Sequence, residues 1–310
     1  MGVFHCPFGC PYYEDEGCID CGLCTAETEE EMVEASKKVR AYLKEHAIQG
    51  KSIQKIAVCG KGGTGKSTMV TLMAQALTKL NYSVLVMDTD ESNPGLYRFL
   101  DFEKTPKPLS TLMSRFSYKG QPEEGTDWIM LPEIKVSDIP PEFIPSQNGI
   151  KFLMVGKIED PFQGCACEMS DVSRGLVLRL KLAENEIILI DTEAGIESFG
   201  RGVERSVDMV LSVVEPAFEA MALAEKIIYM AEGMGINRAG AVLNKVPSEN
   251  IKEKMIAELK ARNVQTLGTI HFDPKVQEAG FEGRPPINSK AAEEVEGITK
   301  LLMNIVQQTT

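Results

Sequence analysis

The sequence predicts an α/β fold, in which a mostly parallel sheet is covered by helices on both faces and is preceded by a small cysteine-rich module. Three observations lead to this prediction. Short apolar strands alternate with amphipathic helices from about residue 53, a glycine-rich segment at 60–68 separates the first strand from the first helix, and five of the eight cysteines lie within residues 1–24. We therefore divide the 310 residues into an N-terminal head, residues 1–50, and a main domain, residues 51–310.

The elements follow one another in a regular order. In the head, residues 28–31 form a capping-box pattern that opens a helix. In the main domain, residues 103–149 are rich in proline, lysine and glutamate and are expected to form loops and short elements. Strands are predicted at 56–59, 84–87, 151–155, 187–190, 209–214, 240–243 and 266–270, and helices at 69–80, 172–182, 217–234, 251–261 and 291–306. Because ligands of such sheets bind at the carboxyl ends of the strands, function is expected in the turns that follow them.

The glycine-rich segment matches the phosphate-loop pattern G-x-x-x-x-G-K-[ST]. Its glycines allow backbone N–H groups to converge on phosphate oxygens. Lys66 would reach the β- and γ-phosphates, the Ser67 hydroxyl would coordinate Mg²⁺, and the helix that starts near Ser67 adds the positive end of its dipole. The predicted nucleotide-binding residues of this loop are Gly60, Gly62, Gly63, Thr64, Gly65, Lys66, Ser67 and Thr68.

A second lysine, Lys61, follows the first glycine of the loop. The resulting sequence, Lys-Gly-Gly-Thr-Gly-Lys-Ser, resembles the deviant Walker A motif of the MinD and nitrogenase iron-protein superfamily. The resemblance implies an ATP-hydrolysing homodimer in which Lys61 crosses the interface to the ATP bound by the partner subunit. A plain P-loop enzyme with an incidental lysine is the alternative.

Four polar residues match this superfamily in order along the chain. Asp88 and Asp90 end the second strand, and the match implies that Asp90 orients the attacking water while Asp88 lies near the metal. Asp191 follows an apolar strand in a Walker B pattern, so its carboxylate can hold Mg²⁺ through water. Asn244 matches the asparagine that contacts adenine. The predicted magnesium residues are Ser67, Asp88 and Asp191, and the predicted catalytic residues are Lys61, Lys66 and Asp90.

Cys165 and Cys167 form a C-x-C pair. In an extended segment their side chains project to the same side. One pair supplies two thiolates, and two pairs across a dimer supply four, which suits tetrahedral zinc or a soft-ligand site for nickel or copper(I). Two buried thiols in a loop are the alternative.

Three further segments extend the pattern around the cysteine pair. Residues 191–202 read D-x-E-A-G-x-E-x-x-G-R-G, residues 155–159 precede the pair, and residues 283–286 read Gly-Arg-Pro-Pro. From about residue 55 to 306 the chain looks like the nickel-insertion accessory ATPases of carbon monoxide dehydrogenase, the CooC type. This resemblance implies that the dimer holds nickel or zinc between the paired cysteines and that ATP hydrolysis changes the dimer geometry. The implied client is the Ni–Fe–S cluster of carbon monoxide dehydrogenase or its acetyl-CoA synthase partner.

The head departs from the usual members of that family, which begin near the first strand. Cys18, Cys21 and Cys24 have a ferredoxin-like C-x-x-C-x-x-C spacing, and either Cys6 or Cys10 offers a fourth ligand. This spacing favours a [4Fe–4S] cluster, with zinc as the rival because four thiolates also serve zinc. The layout also resembles iron–sulfur scaffold ATPases, so an iron–sulfur scaffold or an ATP-gated electron donor is a second functional hypothesis.

Composition narrows the choice of partners. The net charge is −12 without a Lys/Arg-rich run, which argues against nucleic acid. No apolar stretch reaches the roughly 18–20 residues of a membrane span, and the N-terminus reads as cysteine- and acid-containing rather than as a signal peptide, so a cytoplasmic protein is expected. Cysteines in such a protein are more often metal ligands or redox groups than disulfides.

A MinD-like membrane-positioning ATPase is the third hypothesis. That role requires a basic amphipathic C-terminal helix. The last predicted helix carries three glutamates near its start and is therefore expected to pack into the core through Ile298, Leu301, Leu302 and Ile305.

Overall fold

The structure is a computed structural model. It describes residues 28, 30–31, 33–35, 37–38, 53–90, 95–115, 127–156, 166–196, 207–236 and 238–307, with the backbone alone at 113–115, 166–171 and 304–307. The predictions for Cys6, Cys10, Cys18, Cys21, Cys24 and Cys165 lie outside these residues, as does the side chain of Cys167.

Ten strands and seven helices form the described main domain. The strands are β1 (Lys55–Cys59), β2 (Ser83–Asp88), β3 (Ile134–Lys135), β4 (Ser146–Gln147), β5 (Ile150–Met154), β6 (Leu180–Lys181), β7 (Glu186–Asp191), β8 (Met209–Val214), β9 (Ala239–Val246) and β10 (Thr266–His271). The helices are α1 (Lys66–Lys79), α2 (Leu96–Phe99), α3 (Ala166–Arg179), α4 (Phe218–Gly233), α5 (Glu249–Ala261), α6 (Pro274–Glu282) and α7 (Lys290–Gln307). Short 3₁₀ helices cover Leu109–Arg115, Asp127–Met130 and Val136–Asp138.

Eight of the strands form one sheet in the order β10-β9-β8-β1-β7-β2-β5-β4. Neighbouring strands are parallel except β4 and β5, which form an antiparallel hairpin. The hairpin turns at Asn148 and Gly149, whose positive φ angles of 52° and 79° are typical of a type I′ turn. Strands β3 and β6 form a separate parallel pair. The predicted α/β class with a mostly parallel sheet is confirmed.

The sheet is buried on both faces because its strands are apolar at nearly every position. Along β1, Ile56 and Val58 join the core on one face, and Ala57 and Cys59 join the core on the other. Each large aliphatic side chain that is removed from water in this way contributes about 1.5–3 kcal/mol to folding. Cys59 is therefore a core residue, as its place in an apolar strand suggests.

Helix α7 closes the first of these cores. Ile298 and Leu302 are buried there, as expected for packing, whereas Leu301 is 61% exposed, so that part of the expectation is wrong. The buried stripe of α7 runs through Val295, Ile298, Thr299 and Leu302, and at about 100° per residue Leu301 lies beyond its edge. The side chain of Ile305 lies outside the described residues. Among the described helices, none is both long enough and apolar enough to cross a membrane.

A strand and a helix have ends that differ from the sequence predictions, and one helix was not predicted. The strand expected to end at Leu243 continues to Val246. The helix expected at 172–182 begins earlier, at Ala166, and stops at Arg179, because the next two residues pair with β3. Helix α6 was not predicted, although Asp273 caps its start by accepting a hydrogen bond from the backbone N–H of Lys275 at 2.9 Å.

The capping box of the head is confirmed. The backbone N–H of Glu31 donates to the Thr28 hydroxyl at 3.2 Å, and the backbone N–H of Thr28 donates to the Glu31 carboxylate at 3.1 Å. Helical residues follow, and Ala35 among them is buried.

Candidate nucleotide-binding site

The phosphate loop joins the central strand β1 to helix α1 at the carboxyl edge of the sheet. Glycine is required at two of its positions by steric contact as well as by conformation. At Gly60, with φ of 144°, an added Cβ would lie 2.6 Å from the carbonyl oxygen of Val213 in β8. At Gly65, with φ of 97°, it would lie 2.4 Å from the side-chain nitrogen of Asn244. At Gly60 the backbone of β8 thus leaves no room for a side chain, whereas at Gly65 a side chain would be strained and would displace Asn244.

Hydrogen bonds within the loop fix its first turn. The Thr64 hydroxyl and backbone N–H donate to the carbonyl of Lys61 at 2.9 and 3.3 Å. The ammonium group of Lys66 lies 3.5 Å from the same carbonyl, and Lys66 is only 7% exposed. The lysine predicted to contact phosphate is therefore held under the loop, at the first residue of α1.

Asp191, at the end of β7, is a buried acid of the site. Its Oδ2 accepts a hydrogen bond from the Ser67 hydroxyl at 2.6 Å, and its Oδ1 is buried without a hydrogen-bond partner among the described residues. Burial, and then the negative charge of Asp88, raise the pKa of Asp191 to about 7.

This arrangement fits Mg²⁺. A buried carboxylate oxygen that lacks a donor, beside a hydroxyl, offers the hard oxygen ligands that Mg²⁺ prefers. No group of three or more His, Cys, Asp or Glu side chains in the described part of the chain is arranged to hold a metal ion by itself. That is expected for Mg²⁺, which takes one or two carboxylates from the protein and its other ligands from phosphates and water.

Asp88 and Asp90 lie beside Asp191 because β2 and β7 are paired through their last residues. Both aspartates are buried, and the backbone N–H of Asp90 donates to Oδ1 of Asp88 at 3.0 Å. Between them, the backbone N–H and hydroxyl of Thr89 donate to the carbonyl of Asp191 at 3.0 and 2.9 Å. The structure therefore brings the predicted residues Lys66, Ser67, Asp88, Asp90 and Asp191 together on one side of the loop.

Asn244 lies on the opposite side of the loop, in β9. Its side-chain amide donates to the carbonyl of Thr64 at 2.7 Å. It also lines a cavity of about 350 Å³ beside the loop, together with Phe272 and Val276. This position is compatible with the predicted contact to adenine, and that contact stays a prediction.

Two residues near Asn244 were missed by the sequence analysis. Lys245 donates from its ammonium group to the carbonyl of Gly63, and the same group lies 3.1 Å from the carboxylate of Glu215, directly after β8. In the sequence, the polar pair Asn-Lys is followed by the apolar Val246. This pattern indicates an interrupted strand rather than a strand end, and it could have pointed to Lys245.

The second lysine of the loop, Lys61, pairs with a residue of its own chain. The Lys61 ammonium lies 3.8 Å from the carboxylate of Glu219 in the first turn of α4, and both side chains are exposed. On the same loop, the backbone N–H of Gly195 donates to the carbonyl of Gly60 at 3.2 Å, which ties the segment after Asp191 to the loop. The reach of Lys61 across a dimer stays a prediction.

The cysteine predictions are not tested by the described residues. Cys165 lies outside them, and Cys167 belongs to the first turn of α3 by its backbone alone. The assignments of nickel or zinc to this pair, and of a cluster to the head, therefore stay predictions.

Comparison with known proteins also indicates a nucleotide-binding domain. Residues 55–287 match the family model described as the CobQ/CobB/MinD/ParA nucleotide binding domain. An uncharacterized ATP-binding protein of Methanocaldococcus jannaschii is 32% identical over 80% of this chain and 99% of its own length. The carbon monoxide dehydrogenase accessory protein CooC of Rhodospirillum rubrum is 34% identical over 74% of this chain and 88% of its own length. An iron–sulfur cluster carrier protein of M. jannaschii is 27% identical over 81% and 84%.

Solved structures show the same fold. The septum site-determining protein MinD of Pyrococcus horikoshii, solved with Mg-ADP, superposes with a TM-score of 0.60 at 18% identity and covers 83% of this chain and 98% of its own. The prediction of an ATPase is confirmed by the family, and the family supports the prediction that ATP and Mg²⁺ are its ligands. The chain belongs to the CobQ/CobB/MinD/ParA family of P-loop ATPases.

Proposed function

We propose that this chain is a dimeric, ATP-hydrolysing metallochaperone that inserts nickel into the active-site cluster of a carbon monoxide dehydrogenase or acetyl-CoA synthase. The proposal rests on the similarity to CooC, which extends along most of the main domain of a chain that has the C-x-C pair Cys165 and Cys167. Nickel is cargo here, and thiolates are the soft ligands that suit it.

The position at which the chain leaves the sheet before the C-x-C pair supports a coupling between metal binding and nucleotide hydrolysis. The segment leaves the sheet after β5, where the backbone N–H of Val155 donates to the carbonyl of Asp88 at 3.0 Å. It returns at α3, which begins at Ala166. A shift of Asp88 during ATP hydrolysis would therefore act directly on the strand that leads to the cysteines.

The hydrolytic roles follow from the side chains that surround the loop. Lys66 is proposed to bind the β- and γ-phosphates, Ser67 and Asp191 to hold Mg²⁺ with Asp88 nearby, and Asp90 to orient the attacking water. Bound Mg²⁺ supplies neutralisation of the charge that develops on the transferred phosphoryl group. Burial of the three aspartates excludes bulk water, which strengthens each of these interactions.

The dimer is proposed from the signature lysine. We expect Lys61→Ala to remain a monomer in the presence of MgATP while wild type dimerises, because the ATP of each subunit would lose the ammonium group of the other. Light scattering measures this, with Lys181→Ala as the control, since Lys181 is an exposed lysine of β6 paired with Glu133 at 3.0 Å. An ATP-bound dimer of Lys61→Ala would refute the role of Lys61 across the interface.

An iron–sulfur carrier is the second candidate. The C-x-x-C-x-x-C spacing in the head and the similarity to the iron–sulfur cluster carrier protein of M. jannaschii favour it. This alternative requires iron and sulfide at the Cys165/Cys167 pairs and no marked affinity for nickel. A membrane-positioning role has less support, because the apolar face of α7 is largely occupied by the core.

Anaerobic nickel binding, with zinc in competition, tests the proposal. We expect one nickel per dimer in wild type, loss of that nickel in Cys165→Ser/Cys167→Ser, and retention in Cys18→Ser/Cys21→Ser, which alters the head alone. Transfer is then measured as the activation of nickel-free carbon monoxide dehydrogenase by the loaded protein and MgATP. Iron and sulfide at the C-x-C pair, without nickel, would move the assignment to the iron–sulfur carrier.

A further inference from the structure

A β-bulge interrupts the pairing of β9 and β10 beside the phosphate loop. Leu243 is opposite Thr269, and Val246 is opposite His271, so three steps along β9 correspond to two along β10. The extra residue lies at Asn244–Lys245, and Lys245 has a φ of 55°, in the left-handed region that non-glycine residues rarely adopt.

The bulge changes where two consecutive side chains point. In a regular strand, neighbouring side chains project to opposite faces of the sheet. Here both project to the same loop, since Asn244 donates to the carbonyl of Thr64 and Lys245 donates to the carbonyl of Gly63. Two successive carbonyls of the phosphate loop are thus each bonded to a side chain from one strand.

A carboxylate fixes the lysine in this position. Glu215 follows β8, the strand between β9 and β1, and its Oε2 lies 3.1 Å from the Lys245 ammonium. The side chain of Glu215 is 25% exposed and that of Lys245 is 44% exposed, so the pair lies at the surface of the loop and does not form part of the core.

These contacts bear on phosphate binding through the geometry of the peptide unit. A loop that binds phosphate must turn successive N–H groups inward, and the carbonyls between them then require partners elsewhere. Lys245 and Asn244 supply those partners for Gly63 and Thr64 from within the protein. An ordered loop binds phosphate more tightly than one that must be ordered on binding.

We infer that Lys245 is a positioning residue for the ATPase reaction: presented by the β-bulge and anchored by Glu215, it holds the phosphate loop in the conformation that accepts MgATP. The inference rests on the ATPase and is independent of the metal or the client. A wild-type protein that hydrolyses ATP but delivers no nickel would contradict the proposed function and leave this inference intact.

Steady-state hydrolysis of MgATP by single variants tests the inference. For Lys245→Met we expect the KM for MgATP to rise about tenfold with kcat within about threefold of wild type, because an interaction common to the ground and transition states is lost. Lys181→Met is the matched control, an exposed lysine in a 3.0 Å ion pair remote from the loop, and its KM should equal that of wild type.

Lys245→Gly separates positioning from stability. Glycine adopts the left-handed conformation without strain, so this variant should have a Tm at or above that of wild type while its KM rises as in Lys245→Met. A purely structural lysine would give the reverse, a change in Tm with an unchanged KM. This variant also keeps the test decisive if Lys245→Met folds poorly.

A double-mutant cycle tests the part assigned to Glu215. If Glu215 acts through Lys245, Glu215→Ala raises the KM in the wild-type background and has no further effect in Lys245→Met. Additive effects would contradict the anchoring role. A KM within twofold of wild type in both Lys245→Met and Lys245→Gly would overturn the inference altogether.

Discussion

The two flanks of the phosphate loop differ in how their polar groups are satisfied. On the β7 and β2 side, Asp191 and Asp88 end their strands as buried acids, and one oxygen of Asp191 lacks a hydrogen-bond partner in the described residues. On the β8 and β9 side, Lys245 and Asn244 donate to loop carbonyls, and Glu215 neutralises the lysine. In the proposed assignment an external cation completes the first flank, whereas the second is complete within the protein. Nucleotide binding should change the electrostatics of the first flank and leave the second nearly unchanged.

The largest expected effect is that of Asp191→Asn. We expect hydrolysis to fall at least about 100-fold, because the carboxylate that is proposed to hold Mg²⁺ beside the developing charge is lost. The nucleotide-free protein should at the same time become more stable at pH 8, since the buried charge is removed, with an upper limit of about 4 kcal/mol from the displaced pKa. Turnover assays and urea unfolding measure the two effects.

Asp138→Asn is the control for this change. Asp138 is an exposed aspartate that accepts a hydrogen bond from the backbone of Lys135 at 2.8 Å, and asparagine can keep that bond. If Asp191→Asn destabilises the nucleotide-free protein at pH 8, the first flank does not carry an uncompensated buried charge.

The pH dependence of stability tests whether the first flank carries the buried charge of Asp191. The pKa of Asp191 is raised from 3.8 to about 7 in the folded protein, so the folded state binds more protons than the unfolded state between these values. The contribution of Asp191 therefore lowers the stability of the nucleotide-free protein as pH rises from about 4 to 7, and it is constant above that range. Asp191→Asn should remove this slope, which urea unfolding at several pH values detects.

Mg²⁺ binding should offset the loss of stability that the ionisation of Asp191 causes as pH rises. Because Mg²⁺ binds the ionised carboxylate, its apparent affinity should increase as pH rises through about 7 and then level off. Titration of the wild-type protein with Mg²⁺ and ATP at pH 6, 7 and 8 measures it. A Mg²⁺ affinity that is independent of pH across this range would show that Asp191 is not a ligand.

Two glycines of the loop give a smaller, paired effect on the second flank. Gly65→Ala combines a left-handed φ with a Cβ 2.4 Å from the Asn244 amide, whereas Gly63→Ala has φ of 82° and no atom within 4 Å of its Cβ. We expect Gly63→Ala to cost roughly 1–2 kcal/mol of unfolding free energy and Gly65→Ala to cost more, since it also displaces Asn244. Equal losses in the nucleotide-free protein would show that Asn244 is free to move.

The smallest effect is expected far from both flanks. Glu296 on α7 accepts hydrogen bonds from Lys300 and from Lys79 of α1, and these lysines lower its pKa to about 2. Its stabilising contribution is present above about pH 4.5 and is lost as pH falls toward 2. Glu296→Gln should therefore be slightly less stable than wild type at pH 7, and the difference should decrease as pH falls through 2, without any change in hydrolysis. An altered turnover would mean that α7 is coupled to the site.

The elements that the sequence predicts correctly are those that a single local pattern determines. The apolar runs at 187–190 and 209–214 admit few other structures in an α/β protein, and both are strands. The phosphate loop is specified by its glycines, and its partners Asp88 and Asp191 by their places after such strands. These residues meet because parallel strands bring their carboxyl ends to one edge.

The features that sequence reasoning missed depend on tertiary contacts. Lys245 follows Asn244 in what looks like a strand end, and the pairing with β10 shows that the strand continues beyond it. Helix α6 is short, and of its large apolar side chains Phe281 is 94% exposed, so the usual apolar stripe is weak. Its Asp-Pro start and the glycine after its end were signals that could have indicated it.

The bulge in β9 also has a consequence for comparing members of this family by their sequences. With one residue fewer between Leu243 and Val246, the pairs Leu243–Thr269 and Val246–His271 would be joined by regular pairing, and the residues after this point would stay on their present face. A relative with that shorter interval should then retain the sheet but have one side chain in place of the two, Asn244 and Lys245, that donate to the loop. The length of this interval, rather than the identity of any single residue, would therefore divide homologues into two groups. In one group two side chains of this strand donate to the phosphate loop, and in the other only one does.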